Sequence, residues 1–291
     1  MTKSPRLTLN NGIEMPTLGL GVLDRSALEK TAAAVQCAIE NGYRLIDTAA
    51  AYGNERQVGD GIRASGVDRS ELFITTKLWM ANYGYESALH AFDVSQRKLG
   101  LDYIDLYLLH WPMPSNFEAT IEAYRAAEEL LRDGRVRAIG VSNFKPAHLN
   151  ALIEKTDVVP AVNQIELHPL FIQRETRDAN ARLHIASESW SPLGRSVRGA
   201  SDPLSHPSIA ALATKYRKTP AQIVLRWHLD HGLVTIPKSF QPHRITENID
   251  VFDFALSADD VAMIDAMDKG HRGGPDPDKF DLSRTNISVG E

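Results

Sequence analysis

A closed (β/α)8 TIM barrel of the α/β class is the fold this sequence predicts, and three observations predict it. Short apolar, β-branched runs recur eight times along the 291 residues. Between most of them lie segments with the 3.6-residue period of a helix. Glycines and prolines stand where helix ends need them. No Pro/Gly/Ser-rich linker divides the chain, so residues 1–291 read as a single domain. A doubly wound open sheet is the alternative, but eight repeated units in a chain of this length suit closure better.

Taken in order, "RLTLNNGIEM" reads as an N-terminal β-hairpin turning at Asn11-Gly12, the dipeptide that tolerates the positive φ of a tight turn. The strand runs follow: "TLGLGV" from Thr17, "RLIDTA" from Arg44, "LFITTKL" from Leu72 and "IDLYLLH" from Ile104. Then come "VRAIGVSN" from Val136, "AVNQIEL" from Ala161, "HIASESW" from His184 and "LVTIPKS" from Leu233. Helical faces form at Leu28, Ala32, Val35 and Ile39, at Ala88, Phe92, Ser95 and Leu99, and at Phe117, Ile121, Tyr124 and Leu131. Gly42, Gly100 and Gly134 sit at C-cap positions, and Pro146 and Pro220 at first turns. Two helical patterns, "HPSIAALATKY" and "AQIVLRWHLDH", share the last interval between strands. A final helix opens on a capping box, Ser257 with Asp260, and closes at Gly270. The Gly/Pro/Asp-rich tail from Gly270 reads as an irregular C-terminal loop over one end of the barrel.

Composition is that of a globular protein, with 43% hydrophobic and 24% charged residues. A net charge of −5 makes no electrostatic case for nucleic acid or an anionic membrane as partner. The single cysteine, Cys37, excludes an intramolecular disulfide and a zinc site built on several thiolates. No apolar run is long enough for a signal peptide or a membrane span, so a cytoplasmic setting is expected.

In such a barrel the C-terminal strand ends and the loops after them build the site. Those ends carry Asp47 with Tyr52 just beyond, Lys77, His110, Ser142 with Asn143, Gln164 with Glu166, Trp190, and Lys238 with Ser239. Singly each has an ordinary reading as a cap, a packing group or a solvated charge. Together, Asp47, Lys77 and Tyr52 form a set with a chemical purpose. A tyrosine is too weak an acid to give up its proton readily at neutral pH; a nearby ammonium lowers its pKa, and a carboxylate holds that ammonium charged. His110 can then hydrogen-bond a carbonyl oxygen. The chain contains no reductant, so a hydride has to come from a cofactor.

The motifs "GYRLIDTAAAYGNE", "TTKLW", "LLHWP", "GVSNF", "NQIELHP", "WSPLG" and "IPKSFQPHRITEN" run in this order over most of the chain. They resemble those of the aldo-keto reductase superfamily, and the C-terminal "VFDFALSADDVAMIDAMD" is similar to its bacterial 2,5-diketo-D-gluconate reductase-like branch. The resemblance implies that Tyr52 is the general acid, Lys77 and Asp47 its tuning pair, and His110 the carbonyl-orienting donor. It implies that Ser142, Asn143 and Gln164 bind the nicotinamide carboxamide, that Trp190 stacks on the ring, and that Ser191, Leu193 and Gly194 lie along the pyrophosphate. Lys238, Ser239 and Arg244 would hold an adenosine 2′-phosphate, with Glu247 and Asn248 near the adenine. Lys238 and Arg244 offer a dianion a point charge and a fork, with no acid between Pro237 and Arg244, which favours NADPH over NADH.

Two other signatures are set aside. "GLGVLD" has Asp24 where a Rossmann fingerprint needs its third glycine. His228 and His231 have no third metal ligand in view, so no metal is expected. Leu23, Trp79, Trp111 and Trp190 would wall a pocket for a small-molecule carbonyl, and the resemblance places Leu23 where relatives often carry an aromatic ring. The expected reaction is NADPH-dependent reduction of small aldehydes, dicarbonyls or keto-sugars by a monomer. The alternatives are a non-catalytic NADP(H)-binding regulator and a lyase using Lys77 as a Schiff base; Asp47, by keeping that lysine protonated, speaks against the second.

Overall fold

The computed structural model describes residues 4–194, 202–287 and 289–290. The hairpin is β1 (Arg6–Thr8) and β2 (Glu14–Pro16), paired antiparallel around Gly12, whose φ is +83°. The barrel strands are β3 (Leu20–Gly21), β4 (Leu45–Asp47), β5 (Phe73–Leu78), β6 (Ile104–Leu109), β7 (Val136–Ser142), β8 (Val162–Glu166), β9 (Ala186–Trp190) and β10 (Val234–Thr235). They lie in one parallel sheet in chain order. The sheet curls until its ends meet: Leu18 bridges to Thr235 and Gly21 to Lys238, with Gly19 N–H donating to Thr235 O at 2.9 Å. Glycine is required at this seam, because a Cβ on Gly21 would stand 2.9 Å from the carbonyl oxygen of Ile236.

Helices alternate with the strands: α1 (Thr31–Glu40), α2 (Glu55–Ser65), α3 (Tyr85–Leu99), α4 (Phe117–Arg132), α5 (Pro146–Ile153) and α6 (Arg174–Arg182). Then α7 (Pro207–Tyr216) and α8 (Pro220–Asp230) both fall between β9 and β10, and α9 (Pro242–Ile249) and α10 (Ala258–Asp265) follow. At the start of α8 the cap is complete: Thr219 Oγ1 accepts from Gln222 N–H, and the Gln222 side chain accepts from Thr219 N–H. Two expected boundaries move. Leu28 lies in a short 3-10 turn before α1. α10 ends at Asp265, short of Gly270, because the N–H groups of Lys269 and His271 both bond to the carbonyl of Leu170 and draw the chain off the helix axis.

Strand alternation sorts side chains into two layers. Ile46, Ile74, Tyr107 and Ile139 face the helices, while Leu45, Phe73, Leu106, Val162 and Val234 fill the barrel interior. Leu9 and Met15, from and beside the hairpin, join that interior cluster and plug the N-terminal end. Each such side chain contributes roughly 1.5–3 kcal/mol by burial. The apolar filling stops partway up, and above it the inward positions become polar.

Candidate functional site

The polar layer begins where β4 places Asp47 and β5 places Lys77 on the inward side. Lys77 Nζ donates to Asp47 Oδ1 at 2.6 Å, to the Thr48 carbonyl at 2.9 Å and to Tyr52 Oη at 3.5 Å. Burial works against the Lys77 charge, but Asp47 and Tyr52 overcome it and raise the ammonium's pKa. Burial likewise pushes the Asp47 carboxyl up, with Lys77 and Gln164 pulling against it. The Tyr52 loop is fixed from outside the site: Thr48 Oγ1 donates to Asn54 Oδ1 at 2.7 Å, and Asn54 Nδ2 donates to Val22 O at 2.8 Å.

Lys77 pulls the Tyr52 pKa down as expected, but burial outweighs it and the phenol stands above its ordinary value. His110 is pushed well below the usual imidazole range, by burial and then by Lys77, and is therefore neutral. Its Nδ1 is buried without a partner. The tautomer with the proton on Nε2 leaves only an acceptor unsatisfied at Nδ1, the cheaper arrangement, and gives the cavity a donor.

Gln164 sits at the centre of this layer. Its Nε2 donates to Asp47 Oδ2 and to Glu188 Oε2, each at 2.8 Å. Both amide protons are thereby spent inside the protein, and Oε1 remains as the free acceptor at the cavity. Ser142 Oγ donates to Gln164 O, and Asn143 Nδ2 donates to His110 O and to Ser142 Oγ. Trp190 Nε1 donates to Asn143 Oδ1 at 2.9 Å, which sets the plane of the indole. Asn143 and Ser191 both have positive φ, 67° and 51°. Such conformations cost about 1–3 kcal/mol each and cluster at functional sites.

A cavity of about 730 Å³ opens above these groups. Asp47, Tyr52, His110, Trp79 and Trp111 form one end of its lining, and Leu23, half exposed, stands at the rim. Ser142, Asn143, Gln164, Trp190, Ser191, Leu193, Gly194 and Lys238 complete the expected residues in its lining. Lys77 is buried behind Tyr52. Like Lys77, four further expected residues lie outside the lining. Ser239 closes a turn with Gln241, Arg244 is exposed on α9, Glu247 accepts a bond from Thr219 Oγ1 at 2.8 Å, and Asn248 is buried. Lys238 also differs from expectation: although no acid lies near it in sequence, the β3 side of the seam supplies one, Asp24, at 3.1 Å. Ser26 and then Lys238 hold the Asp24 carboxyl down at about 2.

The strand-end list passed over Glu188 and gave Glu166 no role. Glu188 occupies an inward position between Ala186 and Trp190, a period-two signal that could have found it. Glu166 accepts from Gly273 N–H at 2.7 Å and Gly274 N–H at 2.9 Å, pinning the C-terminal tail across the top of the barrel. Lys145 holds the same tail through Asp276 and Asp278, at 2.7 and 2.6 Å. Phe280 packs on Trp111 with ring centroids 4.4 Å apart and closes the cavity on that side. His228 and His231 serve packing: His228 bonds to the Val224 carbonyl and His231 to Asp265. Among the described residues no group of three His, Cys, Asp or Glu is placed to hold a metal, and no helix is long and apolar enough to cross a membrane.

The sequence pattern of the aldo/keto reductase family matches residues 17–269. The chain is 54% identical over 289 residues to morphine 6-dehydrogenase of Pseudomonas putida, covering 97% of each. It is 51% identical over 274 residues to methylglyoxal reductase DkgA of Escherichia coli, covering 94% of this chain and 97% of that one. Among solved structures, it is similar to a Bombyx mori aldo-keto reductase in complex with NADP, with a TM-score of 0.88 at 38% identity over 97% of both chains.

Proposed function

The chain belongs to the aldo/keto reductase family, and from that premise we propose that it reduces small aldehydes, dicarbonyls or keto-sugars to alcohols, with NADPH as reductant and Tyr52 as proton donor. The observation that carries this is the buried ammonium of Lys77, whose three donors go to Asp47, the Thr48 carbonyl and the Tyr52 hydroxyl. A phenol with a raised pKa is fully protonated at neutral pH, the state a general acid needs at the start of the reaction. As its proton leaves, Lys77 stabilises the phenolate that forms.

The residues present fit the cofactor. Gln164 offers an unbonded amide oxygen to a carboxamide N–H, Trp190 a locked aromatic face, and Lys238 a cation for phosphate. When bound, NADPH supplies a hydride to the carbonyl carbon; the C=O π bond breaks and its oxygen takes the proton from Tyr52. His110, neutral with a donor toward the cavity, orients that oxygen beforehand. For the 2′-phosphate, Lys238 has to exchange Asp24 for the new anion, and Arg244 has to swing in from α9. The likeness to a methylglyoxal reductase supports a small dicarbonyl as substrate, as does the aromatic end formed by Trp79, Trp111 and Phe280. A Schiff-base lyase is disfavoured, since Lys77 is held charged and cannot attack a carbonyl.

A carbonyl panel with NADPH, followed by its absorbance, is the test. Glyoxals should be turned over well and bulky steroid ketones poorly; comparable efficiency on both would remove the substrate class. Tyr52→Phe should keep NADPH binding while turnover falls by roughly 10²–10⁴. Near-normal turnover in that variant would remove the mechanism.

A further inference from the structure

Glu188 is fully buried in the barrel interior on β9. Its Oε2 shares the Gln164 amide nitrogen with Asp47, and its Oε1 has no hydrogen-bond partner. Two carboxylates therefore meet at one amide, while the cation beside them, Lys77, is bonded to Asp47 and not to Glu188. The other titratable groups around it leave that imbalance standing. Tyr52 and His110 at the mouth are neutral. Glu166 and His168, at and beyond the end of β8, bond to each other, and Lys238 beyond β10 is paired with Asp24. On the outer face of β9, His228 bonds to Ser189, and Arg177 belongs to α6. A charge on Glu188 would have the Gln164 amide but no bonded cation. Burial, and then Asp47, push its carboxyl up to about 8, so it is neutral below that pH and ionised above it.

Resting on the reading that Gln164 and Trp190 hold the nicotinamide, we infer that Glu188 is a positioning residue that sets the site's preference between the two redox states of the cofactor. Neutral, it anchors Gln164 for either form. Ionised, it places an unpaired negative charge behind Gln164, which favours the positively charged oxidised ring over the uncharged reduced one. The same residue thus tilts the site from carbonyl reduction toward alcohol oxidation as pH rises. Binding of NADP+ to the neutral form expels the Glu188 proton to solvent.

The test is the pH dependence of two dissociation constants, for NADP+ and NADPH, read by quenching of tryptophan fluorescence from about pH 6.5 to about pH 9.5. Groups that touch the adenosine and phosphates act equally on both nucleotides and cancel in the ratio. For the unaltered protein the ratio should move toward NADP+ by roughly tenfold, the size of one charge about 12 Å away at an effective dielectric of about 20. In Glu188→Gln it should be flat. A flat ratio in the unaltered protein, or the same rise in the variant, overturns the proposal. Should the variant not fold, proton release by the unaltered protein decides: in weak buffer at about pH 7.5 NADP+ but not NADPH should release protons, because a tenfold coupling lowers the Glu188 pKa by about one unit, and equal release or none overturns it. If neither nucleotide binds, the cofactor reading fails and takes this inference with it, an outcome distinct from a flat ratio.

Discussion

Burial and charge compete at single residues, and the winner differs from one position to the next. Lys77 keeps its proton because Asp47 and Tyr52 outweigh its burial; His228, equally buried, has no anion beside it. Burial drives its pKa from 6.5 to about 4, despite the carbonyls of Val224 and Leu167. Unfolding frees the ring to protonate at its ordinary pKa, so the unfolded chain binds a proton that the folded one refuses. Stability should therefore be lost as pH falls from about 6.5 to about 4, by roughly 3 kcal/mol from this residue alone. Urea unfolding at a series of pH values should show that loss, and His228→Asn should flatten the slope; an unchanged slope would place the acid sensitivity elsewhere. Asp47, Lys77, Tyr52 and His110 could be gathered from sequence because strand ends in a barrel are positions of known orientation. The pairings of Glu188 with Gln164 and of Asp24 with Lys238 could not be, since they join different strands, and a linear sequence does not display those approaches.

At the scale of elements, the alternation of apolar runs and helical stripes was enough to order the strands, and Gly100 and Gly134 end α3 and the segment after α4 in the left-handed conformation expected of them. α2 was harder to read. Its two glycines, Gly59 and Gly61, lower helix propensity by about 1 kcal/mol each, and their purpose appears only in three dimensions. A Cβ on Gly59 would stand 2.1 Å from Leu99 O, and one on Gly61 would stand 2.5 Å from Ala32 O. The glycines let α2 lie directly on α1 and on the end of α3. Gly59→Ala should therefore destabilise despite alanine's better propensity, by roughly 1–3 kcal/mol as for other overpacked sites. Thermal melting measures it; a rise in Tm would mean the helices separate at no cost. The end of α10 shows the converse limit, since the Leu170 carbonyl that draws the chain away was invisible in the local pattern around Gly270.

For the whole molecule, the irregular character of the tail was legible from its glycines, prolines and aspartates, but its destination depends on Glu166, Lys145 and Trp111, all distant in sequence. Lys145→Ala should release Asp276 and Asp278 while Glu166 still holds Gly273 and Gly274. Trypsin should then cut at Lys279 faster by about tenfold, with Tm changed little, because exposed ion pairs contribute at most about 1 kcal/mol. Unaltered cleavage would mean that Glu166 and Phe280 secure the tail without Lys145. The seam of the barrel carries a consequence of a different kind, one of timing. The strand that opens the barrel is synthesised before the other seven, and the strand it must meet is the last of the eight to leave the ribosome. Until β10 is available, any part of the sheet already formed keeps an unpaired edge at β3. That edge can be satisfied by its own late strand or by the same strand of a neighbouring nascent chain. Crowding of ribosomes on one message therefore puts self-closure in competition with strand exchange.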